Sequence, residues 1–148
     1  WFVESQSNKI GRITPAGVVT EFPIATPSAS PSGITAGPDG NLWFTEHGSN
    51  KIGRISTAGD IDDFPIPTAG AYPEGIVADA DGNLWIRTLP VKPVPGGPVY
   101  DIVSRKGELF DRLQLPQGYS LAGFGVGRVV YLSMRDQSGI HLARVRLK

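Results

Sequence analysis

The chain contains no cysteine, which excludes a disulfide scaffold, a thiolate metal centre and a cysteine nucleophile. Nor is there an excess of either charge. Fourteen Lys and Arg stand against 14 Asp and Glu, so no global field draws in nucleic acid or an anionic membrane. No run approaches the roughly 18 apolar residues that a bilayer span needs. Helical patterning is missing too: no window sustains apolar residues at i, i+3, i+4 and i+7, and Pro or Gly keeps interrupting. What the chain has in plenty is 19 Gly and 13 Pro, set among 40% hydrophobic residues. Punctuation this frequent, with apolar runs recurring in order between the breaks, describes short strands and tight turns.

The order is a repeat. Asn41-Leu42-Trp43-Phe44-Thr45-Glu46 is answered by Asn83-Leu84-Trp85-Ile86-Arg87-Thr88, and Trp1-Phe2-Val3-Glu4 opens in the same phase. The steps from Trp1 to Trp43 and from Trp43 to Trp85 are both 42 residues. Asn8-Lys9-Ile10-Gly11-Arg12-Ile13 returns as Asn50 to Ile55, Glu21-Phe22-Pro23-Ile24 as Asp63 to Ile66, and Pro31-Ser32-Gly33-Ile34 as Pro73 to Ile76. A period near forty with turn signals inside it is the mark of a repeat architecture.

Each period reads as four strands: A from Gly33 to Ala36, B from Leu42 to Glu46, C from Lys51 to Ser56 and D from Ile61 to Ile66. The A–B turn carries Asp39-Gly40, suited to a hairpin. A longer Pro-rich segment, Pro67 to Pro73, leads on to the next strand A. Such a meander with a crossing to the next unit is one blade of a β-propeller. The third period is degenerate: Val99 to Val103 fits C, Leu109 to Leu115 fits D, Tyr119 to Phe124 fits A and Val129 to Ser133 fits B. Tyr131 stands in the Trp place, and Ile140 to Leu147 forms a last strand C. The extra residues of this period fall in the loop Leu89 to Pro98. The expected fold is therefore all-β, a propeller segment of three to four four-stranded antiparallel blades over residues 1–148. Its blade portions are 1–24, 33–66, 74–115 and 119–148.

That count leaves the first blade without strand A and the last without strand D. Three to four blades cannot close a ring, and each open blade face would expose roughly 400 Å² of apolar surface, about 10 kcal/mol by area. The expected partners are accordingly further blades of a longer chain or a second copy. The start inside strand B, without Met, favours the longer chain.

The phrases Asn8 to Ile13, Asn50 to Ile55, Pro31 to Gly37 and Asn41 to Glu46 resemble the streptogramin B lyase (virginiamycin B lyase) family of propellers over residues 1–85. Residues from Trp85 on, with Tyr100 to Gly107 and Val129 to Leu132, look like the closing blades of a six-bladed bacterial propeller group whose members are often exported. The compartment, cytoplasmic or exported, stays open. The lyase resemblance implies a ring-opening elimination in which Mg²⁺ polarises a lactone carbonyl and a His takes the adjacent proton. It places that His in the slot before Gly-Ile at the start of strand A. Here the slot holds Ser32 and Glu74. The resemblance therefore implies scaffold and part of a small-ligand mouth, with the lyase itself as the alternative if the His residues lie in other blades. No cofactor is evident, and Mg²⁺ enters only with that alternative.

Because a hairpin joins A to B at one end of the blade, the start of A and the end of B share the other end. Ser32, Glu74, Glu4, Glu46 and His47 should gather there, around the mouth of the channel. Carboxylates beside a His could hold Mg²⁺ or move a proton. Glu46 and Glu74 are the candidate ligands, Glu74 and His47 the candidate catalytic groups. Against each stands a plainer role: Glu4 and Glu46 recur with the blade, His47 suits a polar loop, and His141 lies on a solvated terminal strand. Trp1, Trp43 and Trp85 recur in phase and read as inter-blade core. Arg144, Arg146 and Lys148 alternate along the last strand, which discourages edge pairing better than it makes a nucleic-acid patch. Gly123 to Gly127 sits between strands and is a turn, not a phosphate loop.

Overall fold

The computed structural model describes residues 1–89, 95–104 and 107–147; the middle of the Pro-Gly-rich loop (90–94), Arg105, Lys106 and Lys148 lie outside the described residues. Four antiparallel sheets follow one another along the chain. The first holds β1 (Phe2–Glu4), β2 (Lys9–Ile13) and β3 (Val19–Pro23); the second β4 (Pro31–Ala36), β5 (Leu42–Glu46), β6 (Lys51–Ile55) and β7 (Ile61–Pro65). The third holds β8 (Pro73–Ala78), β9 (Leu84–Thr88), β10 (Val99–Val103) and β11 (Leu109–Gln114), and the fourth β12 (Tyr119–Gly125), β13 (Val129–Asp136) and β14 (Gly139–Arg146). Each strand pairs with its chain neighbour within its sheet, so every sheet is a meander. The fold is an all-β propeller segment of four blades that do not close on themselves.

Alternation along strand B decides how blades stack, since successive side chains leave opposite faces of the sheet. Trp43 faces forward into a core with Ile52, Ile66, Leu84, Ile86 and Val103, which cements the second sheet to the third. Phe44 faces backward into a core with Ile10, Ile24, Ala29 and Ile55, which cements it to the first. Trp85 does Trp43's work one blade on, meeting Tyr100, Ile102, Val130 and Leu132.

The repeated Gly of Lys-Ile-Gly-Arg-Ile follows from that stacking. Phe44 is paired across the sheet with Gly53. A Cβ on Gly53 would sit 2.0 Å from the end of the Phe44 ring, and one on Gly11 would sit 2.1 Å from Phe2. In the third sheet the ring is gone: Ile86 stands in Phe44's place, and its cross-strand partner is Asp101 instead of glycine. The vacated space holds an acid that is fully buried and bonded to Arg112 Nε at 2.6 Å.

Two further repeated residues are explained by turns. Asn8 and Asn50 adopt φ of 58° and 59°, a left-handed conformation that Asn tolerates. From there Asn50 Nδ2 donates to the carbonyls of Ile66 and Thr68, at 3.3 and 2.9 Å, and its Oδ1 accepts from Ala71 N at 2.7 Å. One side chain thus holds the connection from the second blade to the third. The A–B turn is longer than a two-residue Asp-Gly hairpin. Gly37 N donates to Asn41 O, Gly40 takes the left-handed φ, and Asp39 accepts from the Trp43 indole at 3.1 Å. In the next blade Asp79, two positions earlier in the turn, accepts from Trp85 at 3.0 Å.

Replacing Gly53 by Ala is expected to cost about 1–3 kcal/mol through overpacking against Phe44. Adding Phe44→Ile, the combination used by the third blade, should recover part of that loss. Urea unfolding of the two variants side by side measures both effects.

Candidate functional site

The innermost strands β4 and β8 lie against each other, and their approach is close enough to require glycine. A Cβ on Gly33 would fall 2.8 Å from the backbone oxygen of Glu74. Thr45 completes this junction: its hydroxyl accepts from Gly33 N at 2.8 Å and donates to Glu74 O at 2.9 Å. One threonine thereby bridges two blades where β4 meets β8.

The next junction is built differently. Arg87 holds Thr45's place in the repeat, and a guanidinium cannot accept a hydrogen bond. The side chain reaches instead to Glu74, at 3.6 Å, with both groups partly exposed. Between β8 and β12 a cleft of about 260 Å³ opens, lined by Gly75, Arg87, Trp85, Tyr100, Leu121 and Phe124 among others. It combines aromatic walls with one cationic side chain, Arg87.

Of the residues placed at the mouth by the sequence, Ser32 is exposed and Glu74 half-exposed. The His47 ring lies tilted against Tyr72, with 5.5 Å between centroids, a contact that nothing along the sequence marked. Glu4 is partly buried and accepts from Ser7 Oγ at 2.8 Å. Glu46 is fully buried and does not line the mouth. Its Oε2 accepts from Ser49 Oγ at 2.6 Å, while Oε1 has no partner among the described residues, nor has Oδ1 of neighbouring Asp63. Burial pushes the Glu46 carboxyl up to about 7; Ser49 opposes the rise, and Asp63 adds to it. Burial would raise Asp63 as well, yet the hydrogen bond from Thr26, the neighbouring Glu46 and the charge of Lys51 hold it below its ordinary value. The two neighbouring acids are thus pushed in opposite directions, Glu46 up and Asp63 down. Thr26 belongs to the connection from the first blade, so this pair ties blades together.

Asp63 was legible as the acid in phase with Glu21, although its contact with Glu46 was not. Nothing along the sequence marked Asp101 and Arg112 as a pair. The third blade sets Arg112 at Asp63's register, where it reaches Thr68 as Asp63 reaches Thr26.

The fourth sheet brings Asp136, Ser138 and His141 together at the β13–β14 turn. The Ser138 hydroxyl and Asp136 carboxylate both lie on Nε2 of His141, at 2.8 and 3.1 Å. A nucleophilic relay needs acid and serine on opposite ring nitrogens. This exposed cluster is turn chemistry. No group of three or more His, Asp or Glu able to hold a metal occurs among the described residues. Among the described residues the two candidate ligands do not form a Mg²⁺ site, because Glu46 is fully buried and the Glu74 carboxylate is paired with Arg87.

The model of the virginiamycin B lyase family matches residues 1–92, the stretch that carries the regular repeat. The chain belongs to that family. Virginiamycin B lyase from Staphylococcus aureus is similar in structure, with 28% identity and a TM-score of 0.71 over 99% of this chain. A catalytically inactive variant of that enzyme, with quinupristin, gives the same values. A structure described as a putative gluconolactonase shares the fold, at 20% identity and a TM-score of 0.57 over 93% of this chain. The chain spans about half of the S. aureus lyase, 51% of that chain. No curated protein matches it.

Glu46 should make the stability of this chain depend on pH. The folded protein keeps a proton that the unfolded chain releases near pH 4.5, so stability should fall as pH rises from 4.5 to about 7 and then level off. The lowered Asp63 acts in the other direction, its contribution being lost as pH falls below its ordinary 3.8. Glu46→Gln cannot titrate and should flatten the decline, which is on the order of 3 kcal/mol. Thermal unfolding of both proteins between pH 4 and 8 checks it.

Proposed function

We propose that the chain acts as scaffold and as one wall of a small-ligand mouth, and does not break bonds by itself. The observation that carries this reading is the open junction between the third and fourth blades. There the Thr45-type bridge is replaced by Arg87 and a cleft with aromatic walls takes its place. Such a cleft suits an apolar or aromatic group, with Arg87 available to a carbonyl or carboxylate. In the slot where the family resemblance puts its His, this chain offers Ser32 and Glu74, and neither supplies an imidazole base.

A second reading, favoured by 28% identity over 99% of the chain, is virginiamycin B lyase with its catalytic His residues on other blades. Mg²⁺ would belong to that reading, and to ligands outside this chain.

Quinupristin serves as the probe for both. Titrated into the protein with Mg²⁺, it should change the fluorescence of Trp85 saturably. Arg87→Ala should weaken the effect about tenfold, the loss of one charge-assisted hydrogen bond. Chromatography should return the compound intact. A linearised product would overturn the non-catalytic reading, and a flat titration would overturn the mouth.

A further inference from the structure

Gly33 and Gly75 hold the same place in successive blades, and the space beside each one measures its junction. A Cβ on Gly33 would fall 2.8 Å from the next blade's backbone, whereas one on Gly75 would meet nothing nearer than Arg87 Cβ at 3.8 Å. The space at the second junction belongs to Arg87. Period-2 alternation puts its side chain on the same face as Trp85, and register pairs it with Tyr100. One face of the third sheet therefore presents a cation beside two rings. Phe124 of the fourth blade lies 5.1 Å from Trp85 between centroids and completes the walls. The lining carries one ionised side chain, Arg87, and no acid. Glu74, its counter-ion, stands outside that lining. The 3.6 Å between them is longer than the roughly 2.7–2.9 Å of a charge-assisted hydrogen bond. Both groups are partly exposed, and such a pair is weak enough for a second carboxylate to displace.

We propose that this cleft takes a planar aromatic carboxylate, its ring between β8 and β12 and its carboxylate on Arg87 in place of Glu74. The inference rests on the reading of the cleft as part of a mouth, and adds to it the charge of the ligand and a specificity role for Glu74. Complementarity of charge carries it: a lining with one cation and no acid leaves that cation to be neutralised by whatever enters. The guanidinium offers a fork of donors that a carboxylate matches with two parallel bonds, and a neutral amide oxygen does not. Size sets the rest. At about 260 Å³ the cleft is smaller than the roughly 300–1,000 Å³ that hold a drug-sized molecule, so a single ring and its short acid arm fill it. Glu74 then works against the ligand, because its charge competes for Arg87 and repels an incoming anion.

Cinnamate and its uncharged amide, cinnamamide, share one shape and differ in charge. Calorimetric titration of each into the whole chain near neutral pH should give about tenfold tighter binding of cinnamate, the worth of one charge-assisted bond. Arg87→Ala should remove that preference and bring the two compounds together. Glu74→Gln keeps the size of the side chain and removes its charge; it should tighten cinnamate about threefold, and not cinnamamide. Equal binding of the two compounds to the wild type would overturn the inference while the mouth stood. So would weaker cinnamate binding by a Glu74→Gln protein with an unchanged circular dichroism spectrum, since Glu74 would then be holding Arg87 in place for the ligand. Binding of neither compound would overturn the mouth itself, and this inference with it.

Discussion

Each of the four blades carries two apolar faces, because strand B places Trp or Tyr on one side and Phe, Ile or Leu on the other. A sheet with two such faces cannot stop at one neighbour without leaving one of them in water. Most of the structure follows from that constraint. The glycine in strand C makes room for the aromatic ring above it, the asparagine before strand C fixes the connection to the next blade, and the Trp indole is pinned by an acid in the A–B turn. Identical side chains in identical local structure are buried or exposed according only to whether another sheet stands beside them. Ile55 and Ile13 are the plainest case.

The third blade shows how such a unit changes without losing its shape. Replacing the Phe ring by Ile86 opens the volume that glycine had kept clear, and Asp101 enters it with Arg112 as its partner. In the turn, an acid at Asp79 takes over the indole bond that Asp39 makes one blade earlier. Each change is paired, since a lone one would leave a void, a clash or an unsatisfied buried charge. Acidic and basic residues thereby exchange places around a constant backbone.

The same paired logic separates a closed junction from an open one. Thr45 reaches two backbone groups and draws the second and third blades together where β4 meets β8. Arg87 in its place can only donate, and turns to the Glu74 carboxylate instead. The blades then stand apart around a cleft.

The strands were legible because period-2 alternation and turn residues are local. Strand B from Leu42 to Glu46 and strand C from Val99 to Val103 lie where the residues place them, and the 42-residue step set the blades and their order. The mouth was legible only in part. Topology put Glu46 at the end of strand B, and its burial against Asp63 depended on a strand seventeen residues further on and on Thr26 from the blade before. The Asp101–Arg112 pair and the cleft beside Arg87 were invisible for the same reason. By itself the sequence determined the repeat, its strands and the family, since these rest on neighbours along the chain. Which acids meet, which junction opens and which faces stay uncovered were decided by the tertiary structure alone, since each depends on distances between blades.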